Sequence, residues 1–206
     1  MYQLAVFVSG RGSNFRTIHE HILSGEIIAQ VVLVVTDKPQ CPAADYSREH
    51  GIEVIQYPGE ATGPEQLVEA LRLRKVDLIL LAGYLKLVPT EVVRAFPRGM
   101  LNIHPALLPA FGGKGFYGHR VHAAVIASGA KVSGVTIHFV DEEYDHGPIV
   151  SQAIVPVRPD DTADALAARV LKHEHKLYPK VLAAICRGEI HWREDGVPYL
   201  DPPIIL

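Results

Sequence analysis

Leu4-Ala5-Val6-Phe7-Val8 runs into Ser9-Gly10-Arg11-Gly12 and then into Ser13-Asn14-Phe15-Arg16-Thr17-Ile18. An apolar pentad, a glycine turn and a helix from about Ser13 to Ser24 make a strand-turn-helix unit. The same rhythm continues outward. Val31–Val35 is a second strand with a helix over Ala43–His50 behind it, and Glu53–Tyr57 and Pro64–Leu73 form the next pair. Asp77–Ala82 is a fourth strand and Met100–Ile103 a fifth. Strands alternating with helices of about ten residues predict an α/β fold with a mostly parallel sheet flanked by helices. Leu78-Ile79-Leu80-Leu81 contains no polar residue, as a central strand covered on both faces requires.

Beyond His104 the pattern changes. His104–Gly118 holds two prolines and four glycines and reads as a long loop whose main chain follows a special path. Arg120–Ser128 is helical, and Lys131–Val140 and Ile149–Val157 are strands joined by Asp141-Glu142-Glu143-Tyr144-Asp145-His146-Gly147, an antiparallel pair. The longest helical pattern spans Thr162 to about Arg187, with Asp160, Asp161 or Thr162 placed to cap it. With no repeat and no linker, one domain over 1–206 is expected, its halves falling at about 1–100 and 101–206.

Of 206 residues, 48% are hydrophobic and 21% charged, which requires a packed core rather than disorder. A net charge of -3 with scattered Lys and Arg disfavours a nucleic-acid partner, because phosphate backbones are bound by concentrated positive charge. No apolar run matches a bilayer, and Met1-Tyr2-Gln3 opens without a basic leader, so a soluble, cytoplasmic protein with no membrane partner is expected. Cys41 and Cys186 are too few for a disulfide framework or a zinc site.

The Ser9–Asn14 turn offers glycines that let a ligand approach the main chain, and free N–H groups that favour an anion. Position 15, where a dinucleotide fingerprint has glycine, is Phe15, and the Walker lysine is absent. A phosphate monoester therefore fits better than a dinucleotide or nucleoside triphosphate, although a structural turn uses the same residues. Asn102, His104 and Asp145 supply an amide donor, an imidazole and a carboxylate. Acyl transfer to an amine without a covalent enzyme intermediate needs such a set: a donor for the oxyanion, a proton carrier and a partner for the imidazolium. The spacing of two between Asn102 and His104 points both side chains the same way on a strand. Each also has an ordinary reading, and Asp145-His146-Gly147-Pro148 equally suits a hairpin turn. His173-Glu174-His175 and His19-Glu20-His21 diverge on a helix, so no metal is assigned. No Ser or Cys occupies a nucleophile elbow.

At these residues the sequence resembles the glycinamide ribonucleotide formyltransferases, folate-dependent enzymes of purine synthesis. The matching pieces are Ser9–Asn14, Leu81–Lys86, Leu101–Pro109 and Val135–Val140 through Asp145–Pro148, with Glu174-His175 and Tyr178-Pro179 fitting the last helix. The resemblance implies a Rossmann-like sheet and a catalytic trio of Asn102, His104 and Asp145. It implies that Gly12, Ser13 and Asn14 hold a ribonucleotide phosphate, with Leu171, Lys172, His173 and Glu174 completing the substrate site. Leu85, Lys86, Leu87 and Val88 would line the folate pocket with Asn102, Asp141 and Asp145. The implied co-substrate is 10-formyltetrahydrofolate, with no metal, in a monomer or homodimer. Ala110–His119 replaces the Pro-Gly-x-His that family members often carry, and Gly59–Leu71 is short and lacks a folate-contacting Arg. The alternatives are a formyltetrahydrofolate hydrolase, a formyltransferase acting on another amine, and a non-catalytic phosphosugar- or folate-binding module.

Overall fold

A computed structural model describes residues 1–59 and 62–206; the short Gly59–Leu71 stretch therefore includes two positions outside the described residues. Contacts divide the chain into two compact units, Met1–Leu101 and Asn102–Leu206. Its seven main strands follow the order β3-β2-β1-β4-β5-β6-β7, and the predicted α/β class holds.

The first unit contains β1 (Tyr2–Val8), α1 (Ser13–Leu23), β2 (Ala29–Thr36), α2 (Pro42–Glu49), β3 (Glu53–Gln56), α3 (Pro64–Leu73), β4 (Leu78–Leu81) and α4 (Thr90–Ala95). β1 pairs in parallel with β2, Tyr2 opposite Ala29 through Val8 opposite Thr36, and with β4, Leu4 opposite Leu78 through Phe7 opposite Leu81. Covered on both faces, Leu4–Phe7 and Ile79–Leu80 are fully buried, which explains their unbroken apolar sequence. Pro42 and Pro64 each open a helix at a position where no backbone N–H is needed. Because chain order departs from β1 toward β2 on one side and β4 on the other, a switch point lies between β1 and β4. Ligands of open α/β sheets bind at the carboxyl ends of such strands.

β5 (Met100–His104) straddles the division, and the second unit continues with α5 (His119–Ser128), β6 (Val132–Phe139), β7 (Ile149–Pro156), α6 (Ala163–Cys186), β8 (Ile190–Trp192) and β9 (Pro198–Leu200). β6 and β7 are the expected antiparallel pair, with Thr136 opposite Gln152. α6 packs on β6, β7 and α5, burying Leu166, Val170, Leu177, Val181 and Leu182. Of the three candidate caps, Thr162 is the one used: its Oγ1 accepts from Ala165 N at 3.1 Å. Asp161 instead accepts from Arg169 Nη1 at 2.7 Å, a bridge across the first two turns. α4 and the β8–β9 hairpin were not expected. The hairpin seats Trp192 on Phe139, ring centroids 4.9 Å apart.

Candidate active site

β5 ends where the strand alternation places Asn102 and His104 on one side, and both reach the carboxylate of Asp145. Asn102 Nδ2 donates to Asp145 Oδ1 at 3.2 Å, and His104 Nδ1 lies 3.4 Å from Asp145 Oδ2. The expected trio therefore converges within the second unit. His104 and Asp145 are almost wholly buried. Burial alone would raise the Asp145 carboxyl; the His104 ring and the Gly113 N–H outweigh it and hold the group well below the usual carboxylate range.

The Gly-rich loop completes the surroundings. Phe111 C=O lies 2.8 Å from His104 Nε2, and Gly113 N–H donates to Asp145 Oδ2 at 3.0 Å. A carbonyl can only accept, so Nε2 carries a proton, and only a doubly protonated ring offers a hydrogen to Asp145 as well. Gly112 has no room for a side chain: a Cβ there would meet Leu108 and lie 3.2 Å from Asp145 Cβ. Asp145 itself adopts φ 55°, a left-handed conformation that a non-glycine residue holds only when its neighbours fix it.

His138 is the residue that reading for function passed over. It sits on β6 within Val135–Val140, one alternation from Thr136. Its Nδ1 faces Phe139 C=O at 2.8 Å and so carries the proton, which leaves Nε2 to accept from Asn102 Nδ2 at 3.0 Å. Both Asn102 amide hydrogens are thereby aimed. The signal lay in the period-two pattern Gly134, Thr136, His138, which puts polar groups on one face of an otherwise buried strand. Thr136 Oγ1 donates to Ala106 C=O at 2.7 Å and accepts from Leu108 N at 3.0 Å, and Gln152 Nε2 donates to Leu108 C=O at 3.0 Å. The β6–β7 pair thus anchors the chain that leaves His104.

In the first unit, Gly12 takes the left-handed conformation (φ 68°, ψ 34°) and leads into α1 at Ser13. Asn14 is buried and Ser13 half-buried. The Leu85–Val88 segment joins this end of the sheet: Leu85 N donates to Ser9 Oγ at 3.0 Å, and Ser9 N donates to Gly83 C=O at 3.1 Å. Leu85, Lys86 and Leu87 are exposed, whereas Val88 belongs to the core. On α6, Glu174 is buried, Lys172 exposed and Leu171 half-buried, and His173 Nδ1 lies 3.1 Å from Arg169 C=O on its own helix. Asp141 turns inward on its own loop, accepting from Glu143 N at 2.9 Å and lying 2.6 Å from His146 Nδ1.

Fold and constellation together define an α/β protein in which an amide and two imidazoles surround a buried carboxylate. The chain belongs to the formyl transferase family, which matches residues 2–182. It is similar to the phosphoribosylglycinamide formyltransferase, chloroplastic, of Vigna unguiculata, at 56% identity over 96% of this chain and 65% of that protein. The chain thus spans slightly under two thirds of that relative's length. The phosphoribosylglycinamide formyltransferase of Bacillus subtilis is 38% identical over 92% of this chain and 99% of its own. A crystal structure of phosphoribosylglycinamide formyltransferase from Anaplasma phagocytophilum superposes with a TM-score of 0.87 at 32% identity, covering 96% of this chain and 92% of that one.

Proposed function

We propose that this chain transfers the formyl group of 10-formyltetrahydrofolate to the terminal amine of glycinamide ribonucleotide. The products are N-formylglycinamide ribonucleotide and tetrahydrofolate, a step of de novo purine synthesis. The observation that carries this reading is the convergence of Asn102, His104 and His138 on the ionised Asp145. Family membership and the names of its relatives point the same way.

An α-amino group titrates near ~8, so a useful fraction of the substrate amine is already neutral near pH 7. It attacks the formyl carbon, and the carbonyl π electrons move to oxygen. Asn102 Nδ2–H and the His104 imidazolium stabilise that oxyanion, each exchanging a present partner for it: Asp145 or His138 for the amide, Phe111 C=O for the imidazolium. The carbon–nitrogen bond to the folate then breaks. The new ammonium loses a proton and the departing folate nitrogen gains one, through His104 or a water held by Asp145. Asp145 remains ionised throughout and holds the imidazolium in place.

Gly12, Ser13 and Asn14 hold the ribonucleotide phosphate in this reading, through N–H groups at the start of α1. Leu171, Lys172, His173 and Glu174 serve the rest of that substrate. Leu85, Lys86, Leu87 and Val88, with Asn102, Asp141 and Asp145, serve the folate. For Asp141 the fit is indirect, because both of its oxygens already shape its own turn. A cytoplasmic location belongs to the same proposal, and fractionation of the full-length protein tests it, since the Vigna relative is named chloroplastic.

The decisive experiment incubates the enzyme with 10-formyltetrahydrofolate in the presence and absence of glycinamide ribonucleotide. Tetrahydrofolate released only with the ribonucleotide supports the transferase. Equal release without it means hydrolysis and overturns the proposal.

A further inference from the structure

The turn assigned above to phosphate is shaped by a helix that contributes no atom to it. Gly12 presses directly on α2: a Cβ built on Gly12 would come 2.6 Å from Ala43 Cβ. Ala43 is itself fully buried, and its N–H donates to Gly10 C=O at 3.2 Å. One helix thus grips the turn twice, by its main chain at Gly10 and by a methyl group at Gly12. Gly12 C=O in turn accepts from Arg16 N at 2.8 Å, the first bond of α1.

The next layer binds α1 to α2. Arg16 Nη2 donates to Pro42 C=O at 3.0 Å, and its guanidinium carbon stands 4.6 Å from the centre of the Tyr46 ring. Phe15 meets the same ring edge-on at 5.5 Å. Burial, and next His50, lower the His19 pKa, and its Nδ1 shares a hydrogen bond with Tyr46 Oη at 3.0 Å. Phe15, Arg16 and His19, on the first two turns of α1, therefore close on one tyrosine of α2.

We propose that α2 is the positioning element of the phosphate turn, with Ala43 setting the curvature at Gly12 and Tyr46 fixing α1 against α2 through Arg16 and His19. This inference rests on the reading of Gly12, Ser13 and Asn14 as the phosphate site. An anion at a helix start is held by N–H vectors that must converge, so opening the turn weakens their grip on it. Ala43 and Tyr46 touch no substrate in this scheme. Their effect falls on recognition of the phosphate-bearing substrate and spares the formyl donor.

The test is steady-state kinetics of Ala43→Val, Ala43→Ser, Tyr46→Leu and Tyr46→Phe with both substrates varied, alongside competition by inorganic phosphate. Ala43→Val adds bulk against Gly12 and is expected to raise KM for the ribonucleotide about tenfold or more, the equivalent of one decade in affinity. Inhibition by phosphate should weaken in parallel, while KM for 10-formyltetrahydrofolate stays within about twofold. Tyr46→Phe keeps a ring beneath Arg16 and should recover most of what Tyr46→Leu loses. A purely structural role would reduce the folded fraction, lowering kcat with both KM values unchanged, and that result overturns the inference. So does phosphate competing against wild type while the folded variants keep the wild-type KM for the ribonucleotide, an outcome that leaves the phosphate turn intact. Phosphate failing to compete even against wild type overturns the phosphate reading and this inference with it. If Ala43→Val does not fold, Ala43→Ser and Tyr46→Leu carry the same comparison.

Discussion

Asp145 keeps its charge in a place where burial opposes it, because Asn102 Nδ2 and Gly113 N donate to its two oxygens and the His104 ring lies 3.4 Å away. That ionised state decides how substitutions at Asn102 behave. Asn102→Gln retains a donor on a longer arm. Asn102→Asp replaces the donor with an acceptor whose oxygens would stand near 3 Å from Asp145 Oδ1. Two carboxylates that close share a proton rather than both ionise, and the oxyanion loses its amide. Losing one such donor typically costs roughly two to three powers of ten in rate. Asn102→Asp should therefore lose at least that much in kcat, and Asn102→Gln less, by single-turnover formation of the formylated product. An Asp variant as active as wild type would rule out the donor role.

At the scale of elements, β6 and β7 matter because they fix the path of the chain after His104. Thr136 Oγ1 is the acceptor for Leu108 N, and Gln152 Nε2 reaches the same hydroxyl at 3.0 Å. Thr136→Val keeps the shape and strands a buried N–H, a change expected to destabilise by about 1–3 kcal/mol. Urea unfolding should show a lower midpoint at unchanged slope, and a midpoint equal to wild type would mean that another acceptor takes over. This network also marks how far the sequence could be read. The β1–α3 alternation, the β6–β7 pair and α6 were legible because each is long enough to display its period and is bounded by Gly, Pro or a capping Thr. α4 and the β8–β9 hairpin were not, since six- and three-residue elements complete too few repeats. Asn102, His104 and Asp145 were legible as chemistry and as a resemblance. Their distances depend on loop residues such as Phe111 and Gly113, whose backbone groups have no signature in side-chain pattern. His138 was hidden for a related reason: a histidine in a buried strand reads as core until its neighbours on the adjoining strands are known.

Stability of the whole molecule against acid should be governed by histidines more than by the Asp145 carboxylate. His122 on α5 is buried, its Nδ1 has no hydrogen-bond partner among the described residues, and its pKa is lowered to about 4 by burial first, then by His119 and His104. An unfolded histidine titrates near ~6.5, so below that pH the unfolded chain binds a proton that the folded chain refuses. Folding is therefore unpenalised above about pH 6.5 and loses stability steadily as pH falls toward 4. Asp145 has the opposite kind of shift: its lowered pKa contributes stability above the ordinary carboxylate range, lost only on further acidification. Between pH 7.5 and 5 His122 contributes about 2 kcal/mol, with His19 adding in the same direction and the exposed His146, raised by its hydrogen bond to Asp141, acting in the opposite one. His122→Phe fills a similar volume without a titrating group. Chemical denaturation at both pH values should show wild type losing about 2 kcal/mol more than the variant between them. Equal losses in the two proteins would mean that His122 gains a proton, or a partner for Nδ1, without cost in the folded state.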